Sequence, residues 1–176
     1  MDGWLMWTLI GIGGLAALYI LFFVVVILTI AKFKKKLDKR REALRLLLAQ
    51  CKDIVLSLYK TINNQKIQVP MSLQNKVNEL ANKKIGLFNQ YEVFDYAPKL
   101  ERISKAVFEL AETSKALKKS EEFLRFKKEI SELDEIKRQH IAIYNADING
   151  YNYWIRFMSY RRILSGLGFS EKKRLD

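Results

Sequence analysis

Residues 4–41 read WLMWTLIGIGGLAALYILFFVVVILTIAKFKKKLDKRR. No charged residue occurs from Gly3 to Ala31, and seven positive charges then fall within ten residues, Lys32 to Arg41. A bilayer core is crossed by ~20 apolar residues rising ~1.5 Å each. The run Trp4 to Ile30 exceeds that, and it predicts a transmembrane helix rather than the buried helix of a soluble core. A cleaved export signal would open on basic residues, carry a shorter apolar core and close on small residues. Here Asp2 is the only charge before the run, which closes on Leu28-Thr29-Ile30-Ala31-Lys32, so the expectation is a retained anchor. Lys and Arg are held on the cytoplasmic side of a membrane. The predicted protein is therefore single-pass, with its N-terminus outside and its body in the cytoplasm. Trp4 and Trp7 suit the outer interface, where an indole keeps its N–H wet. Residues 1–31 make the anchor with a short external stub, and 32–176 the cytoplasmic domain.

The whole chain of 176 residues carries a net charge of +12. All 31 Lys and Arg lie after Ala31, with 18 of the 19 acidic residues, so the body alone carries +13. The excess is uneven. Lys32 to Ile62 holds ten positive and three negative residues, Asn63 to Trp154 fifteen and thirteen, and Ile155 to Asp176 six and two. Both ends of the body are basic and its middle is nearly balanced. The lone cysteine, Cys51, excludes an intramolecular disulfide and fits a reducing compartment. Regular turn signals of the kind strands need are missing, and only Pro70 and Pro98 interrupt the chain, so the body should be helical.

Leu37, Leu44, Leu48, Cys51, Val55, Leu58 and Ile62 form one apolar stripe at three-, four- and seven-residue spacing. No breaker separates this stripe from the anchor, which predicts one long helix leaving the membrane. Asn63 to Pro70 reads as a polar loop. Ser72 is the expected N-cap of a second helix reaching about Tyr91, with Val77, Ala81, Ile85 and Phe88 on one face; Gly86 weakens that helix. Pro98 marks the expected start of a third, with Leu100, Ile103, Val107, Leu110 and Ser114 in register. The last segment keeps a three-or-four spacing through Phe123, Phe126, Ile130, Leu133, Ile136, His140, Tyr144, Ile148, Tyr151 and Ile155, predicting a helix of roughly 50 Å. Amphipathic helices bury their stripes against one another. The fold expected is therefore all-α, an N-terminal transmembrane helix followed by an up-and-down four-helix bundle. That topology would return the end of the last helix, and with it the second basic segment, to the membrane.

The last sixty residues resemble the LemA family, small bacterial proteins with an N-terminal transmembrane helix and a helical bundle. The family's Leu-Lys-x-x-Glu-x-Phe motif stands here as Leu117, Lys118, Glu121 and Phe123. Its paired Tyr-Asn motif stands as Tyr144-Asn145 and Tyr151-Asn152, and its terminal Leu-x-Gly-Phe block as Leu167-Gly168-Phe169, that is Gly168 and Phe169 after the leucine. The family's Thr-Glu-Asn stretch is replaced by Leu133-Asp134-Glu135, its Phe-Pro by Phe157-Met158, and its Leu-Ile-Pro-Asn-Leu first helix by a stretch from Leu47 to Val55, so the chain looks like a divergent member. The resemblance implies a four-helix bundle on a membrane stalk in the bacterial cell membrane. It implies no reaction, because the family has no settled molecular function; the family's link to membrane proteases of the zinc-dependent heat-shock class is a contextual pointer to a partner.

Catalytic chemistry finds little purchase. His140 is the only histidine and sits on an apolar stripe, so a packed, hydrogen-bonded residue is expected there. Cys51, also on a stripe, reads as a small buried hydrophobe rather than a thiolate. Metal-ligand spacings such as His-x-x-Glu-His or Cys-x-x-Cys are missing, so no metal, cofactor or enzymatic activity is expected. Gly11-Ile12-Gly13-Gly14 lies inside the apolar run, where no phosphate loop can form; Gly13 and Ala17 suit close helix approach instead. Glu121, Glu122, Glu129 and Glu132 read as a solvated face. The two Tyr-Asn pairs, seven residues apart, share a face and are either packing residues or a recognition surface.

Basic and aromatic residues at the two ends of the body carry the functional reading. Lys32, Lys34, Lys35, Lys36, Lys39, Arg40 and Arg41 would form a membrane-interface pole with Trp154, Arg156, Arg161 and Arg162. Each basic residue near an anionic leaflet contributes about 1 kcal/mol. The reading is a non-enzymatic adaptor or scaffold at the cytoplasmic face, bound to anionic lipids, with a membrane protein or protease as its protein partner. A membrane-tethered nucleic-acid binder is the alternative that the charge raises, but such a protein should carry a basic stripe along an exposed face. Here the positive-inside rule accounts for the excess, and no nucleic acid is expected.

Overall fold

The computed structural model describes residues 3–87, 90–156 and 161–175. Among them every regular element is a helix. Helix α1 runs unbroken from Gly3–Asn64, 62 residues, so the apolar run and the first amphipathic stripe share one rod, as the absence of a breaker predicts. α2 is Met71–Asn82, a 3₁₀ turn covers Ile85–Leu87, and α3 is Gln90–Thr113. A single turn, α4, occupies Lys115–Lys118. α5 is Glu121–Arg156 and α6 is Arg161–Gly166.

Three expected boundaries move. Pro70, not Ser72, stands at the N-cap of α2. Its carbonyl accepts from the N–H groups of Leu73 and Gln74, and its fixed φ suits the extended cap position. The same helix ends at Asn82 rather than near Tyr91, because Lys83 turns extended at φ −77°, ψ 124°. The Lys52 ammonium, reaching over from α1, donates to the carbonyls of Ala81 and Lys83 at 3.0 and 2.8 Å. A cation on the last carbonyls offsets their partial negative charge and holds the break. The buried face of α2 is Leu73, Val77 and Leu80; Ala81 is exposed, and Phe88 lies outside the described residues. Pro98 sits inside α3 instead of opening it. The stripe explains why: Val93 and Tyr96 are buried ahead of the proline, as Leu100, Val107 and Ala111 are after it. One lost N–H bond is outweighed by a continuous apolar face.

The helix junctions are built from caps. Ser114 accepts from the N–H of Leu117 and Ser120 from that of Phe123, while Glu121 and Glu122 occupy the first turn of α5, where the helix dipole favours them. Leu117 and Phe123 are both buried. The stretch matching the Leu-Lys-x-x-Glu-x-Phe motif is thus a turn-and-cap device with two apolar anchors. α1 ends in a Schellman pattern: Lys66 N–H bonds to the Asn63 carbonyl and Ile67 N–H to that of Ile62, with Lys66 at φ 56°.

The chain forms two compact units, each with parts of α1 and α5. One comprises residues 39–144 with Leu175. Its core joins Leu48, Cys51, Val55, Leu58 and Ile62 of α1 to Leu73, Val77 and Leu80, to Val93, Leu100 and Val107, and to Leu117, Phe123 and Phe126. The α1 stripe is buried as predicted. The α5 stripe is not buried throughout: Ile136 is 40% exposed, and Ile130, Leu133 and His140 are half-buried. Lys137 turns inward instead, its ammonium 2.7 Å from Asp134, along an open groove of about 960 Å³ floored by Leu48 and Cys51. The other unit comprises the chain up to Asp38 with Asn145–Arg174.

Candidate membrane-interface site

In this second unit, the apolar run meets the C-terminal segment. Every described side chain from Gly3 to Phe22 is exposed. Burial begins at Phe23 and becomes complete at Val26 and Ile30, both 0% exposed, and Leu37 follows. Their counterparts on α5 are Ile148, Tyr151 and Ile155, all buried. Two contacts set the register. A Cβ on Gly150 would lie 2.9 Å from Cε1 of Phe33, so a side chain there would have to displace the ring. One turn along, the Lys36 ammonium lies 2.6 Å from the Asp147 carboxylate. Asp147 is 6% exposed, and a carboxylate so buried is stable only with such a partner.

The tail after α6 lies along the face of α5. Asn152 acts as a two-pronged clamp: its amide donates to the Lys172 carbonyl at 2.8 Å, and its oxygen accepts from the Lys172 N–H at 2.9 Å. Arg174 Nε donates to Asn149 Oδ1 at 2.8 Å, and Arg156 pairs with Glu171 at 2.8 Å. That neighbouring carboxylate raises the Arg156 pKa. Residues 149, 152 and 156 share one helical face, so the tail is bound at three successive points. α6 turns into the tail through a second Schellman pattern. Gly168 stands at φ 79°, its N–H bonding to the Ser165 carbonyl, while Phe169 N–H bonds to that of Leu164. Gly168 and Phe169 are therefore a helix stop and the residue it positions. Lys34 then lies 5.5 Å over the Phe169 ring, and Lys172 lies 6.0 Å over that of Tyr151. Burial raises the Tyr151 pKa, and Asp38 adds to it, against a backbone hydrogen bond involving Ser170.

Of the residues expected at the basic pole, Lys32, Lys34, Lys35 and Lys36 share a unit with Trp154 and Arg156. Lys32, Lys34, Lys35 and Lys36 are exposed on α1 in this unit. Arg156 is exposed beside its partner Glu171. Trp154 is half-buried, 6.0 Å from the exposed Tyr153 in an edge-on arrangement. Lys39, Arg40 and Arg41 belong to the other unit. Arg161 and Arg162 open α6, their side chains lying outside the described ones, as do Phe157 and Met158 altogether. In the Tyr-Asn pairs, Tyr144 and Tyr151 are buried and Asn145 and Asn152 half-buried; for Tyr151-Asn152 the geometry is that of packing and clamping.

Sequence reasoning passed over Asp147, Gly150 and Asn149. Their signals were present: Asp147 is the only acidic residue between Glu135 and Glu171, and Gly150 interrupts a helical stripe without ending it. The buried Nδ1 of His140, where a hydrogen bond was expected, has no partner among the described residues. Burial pushes the Cys51 thiol up to about 11, the opposing pull of Lys137 being smaller. No group of three or more His, Cys, Asp and Glu side chains that would hold a metal occurs among the described residues.

No family model, curated protein or solved structure matches the chain.

Proposed function

We propose that this protein is a single-pass, membrane-anchored helical-bundle protein of the LemA type that acts as a non-enzymatic adaptor at the cytoplasmic face of a bacterial membrane. One observation carries the reading: α1 is long and apolar enough to cross a membrane, its side chains from Trp4 to Phe22 are exposed wherever described, and seven positive charges follow it within ten residues. Exposed apolar surface of that extent is stable in lipid and unstable in water. The positive-inside rule then directs the N-terminus outwards and the body inwards. The body is a four-helix bundle made by α1, α2, α3 and α5, and its basic pole rests on anionic lipids. The groove beside Cys51 and Lys137 offers a place for a protein partner, a membrane protein or protease.

Membrane fractionation followed by protease treatment of intact and permeabilised cells tests this reading. The chain should stay in the membrane through alkaline carbonate, and its body should be cut only after permeabilisation. Release by nuclease or by high salt alone would favour the nucleic-acid reading that the charge raises, and cutting of the body from outside would reverse the topology.

A further inference from the structure

We propose that the apolar run is longer than the membrane it crosses. Trp4 to Phe23 span the hydrocarbon, and Val24 to Ala31 emerge from it as a seat for a collar formed by residues 145–174, which rests on the lipid headgroups of the basic-side leaflet. This inference rests on the reading of α1 as a spanning helix.

Length comes first. Trp4 to Ala31 is 28 residues, ~42 Å of helix at ~1.5 Å per residue against a core of ~30 Å. Trp4 to Phe23 is 20 residues, which matches that ~30 Å core. Burial divides the run at the same place, since Phe23 is the first described side chain that is not exposed and Val26 and Ile30 are fully covered.

The covering segment is too polar for hydrocarbon. Phe33 faces Gly150 and Lys36 faces Asp147, a step of three along each helix in opposite directions. Continued by one to two turns, this antiparallel register brings Ile155 to the level of Ile30 and Val26. The same segment holds the Arg156–Glu171 pair, the Asn152 clamp and the cations Lys172, Lys173 and Arg174. Ionised side chains are expelled from hydrocarbon unless enclosed by protein, and Lys173 and Arg174 are exposed. The turns of α1 that this segment clads therefore lie outside the core.

The collar also turns apolar side chains outward. Ile163 and Leu167 of the α6 region are 51% and 53% exposed. Shallow apolar contacts beside exposed lysines are the pattern of an interfacial element. On the uncovered side of the seat, Val24, Val25 and Leu28 are exposed. They fall in the ~5–7 Å layer between the core and water. The partner surface is thus the headgroup layer of an anionic bilayer.

The two placements differ by four residues in the centre of the span: between Gly13 and Gly14 here, or between Ala17 and Leu18 if the whole run is embedded. Single cysteines in the full chain with Cys51→Ala, labelled with an environment-sensitive fluorophore and reconstituted in phosphatidylcholine–phosphatidylglycerol vesicles, read this directly. Nitroxide on deep acyl positions should quench labels at Leu9 and Leu18 equally. Iodide or a headgroup nitroxide should reach Leu28, and the headgroup nitroxide should also quench a label at Ile163. Equal deep quenching at Ile10 and Val25, or a label at Ile163 that no lipid-borne nitroxide reaches, overturns the collar while leaving a spanning helix. If no label from Leu9 to Leu21 is quenched from within the bilayer, the spanning reading falls and the collar with it.

Discussion

The two units both bury apolar side chains but differ in how much they add to that burial. Residues 39–144 close over a broad apolar core in which Val55, Leu58, Ile62, Val107 and Leu117 are fully buried. The unit made with residues 145–174 buries a smaller set, Val26, Ile30, Ile148 and Ile155 among them, and adds contacts that depend on register: one glycine beside a ring, one buried carboxylate beside a lysine, and one asparagine clamping a tail. A non-directional core degrades in proportion to the carbon removed. A register-dependent contact fails as a whole when one position changes. Ordered from the largest expected effect to the smallest, the following changes break or sharpen that contrast.

Leu58→Ala should destabilise the 39–144 unit by about 3 kcal/mol, the usual cost of emptying a fully buried leucine site, read as a shifted urea midpoint of the detergent-solubilised protein. Gly150→Leu should cost roughly 2–3 kcal/mol by overpacking and should release the C-terminal segment while the 39–144 unit keeps its midpoint. Phe33→Ala in the same chain should return most of that loss; the absence of rescue would mean that the glycine matters for another reason. Alkaline pH tests the buried thiol. The folded Cys51 pKa, about 11, lies above the thiol's ordinary 9.0, so the unfolded chain loses its proton first. Stability from this group is complete below about pH 9 and declines by about 2 kcal/mol as pH rises towards 11, and Cys51→Ala should flatten that slope. Asn152→Ala removes two hydrogen bonds, each contributing about 1 kcal/mol, and should make the tail after Gly168 the first site of limited proteolysis.

The smallest effect has the opposite sign. Both units stop a helix with a left-handed residue, Gly168 in one and Lys66 in the other. A side chain costs about 1 kcal/mol in that conformation, so Lys66→Gly should stabilise the 39–144 unit by up to that amount. Gly168→Lys should destabilise its own unit similarly. Equal, near-zero changes at both positions would show that the backbone geometry is not decisive at either.

Much of this was legible in the residues. The stripe from Leu44 to Ile62 and the terminal pattern from Tyr144 to Ile155 are buried where three- and four-residue spacing places them, because helical periodicity is a local property. The middle of α5 departs from its stripe because spacing reports which residues share a face, not whether a neighbour covers that face; Ile136 has the right spacing and is 40% exposed. The end of α2 is not legible locally because the lysine that stabilises it, Lys52, lies some thirty residues earlier in the chain. Pro98 does not stop α3, since a lost backbone bond is a local cost and the apolar face on both sides of it a tertiary gain.

Composition and order alone determined that the chain is helical, that its first helix is apolar enough to cross a membrane, and that positive charge gathers at both ends of the body. Those are one-dimensional properties: hydropathy, periodicity and net charge add up along the chain. Only the tertiary structure decided that Gly150 faces Phe33, that Asp147 lies beside Lys36 and that Asn152 holds the backbone of Lys172. Each joins residues between twenty and more than one hundred positions apart. Such contacts depend on where two helices meet and in what register, which no local signal encodes.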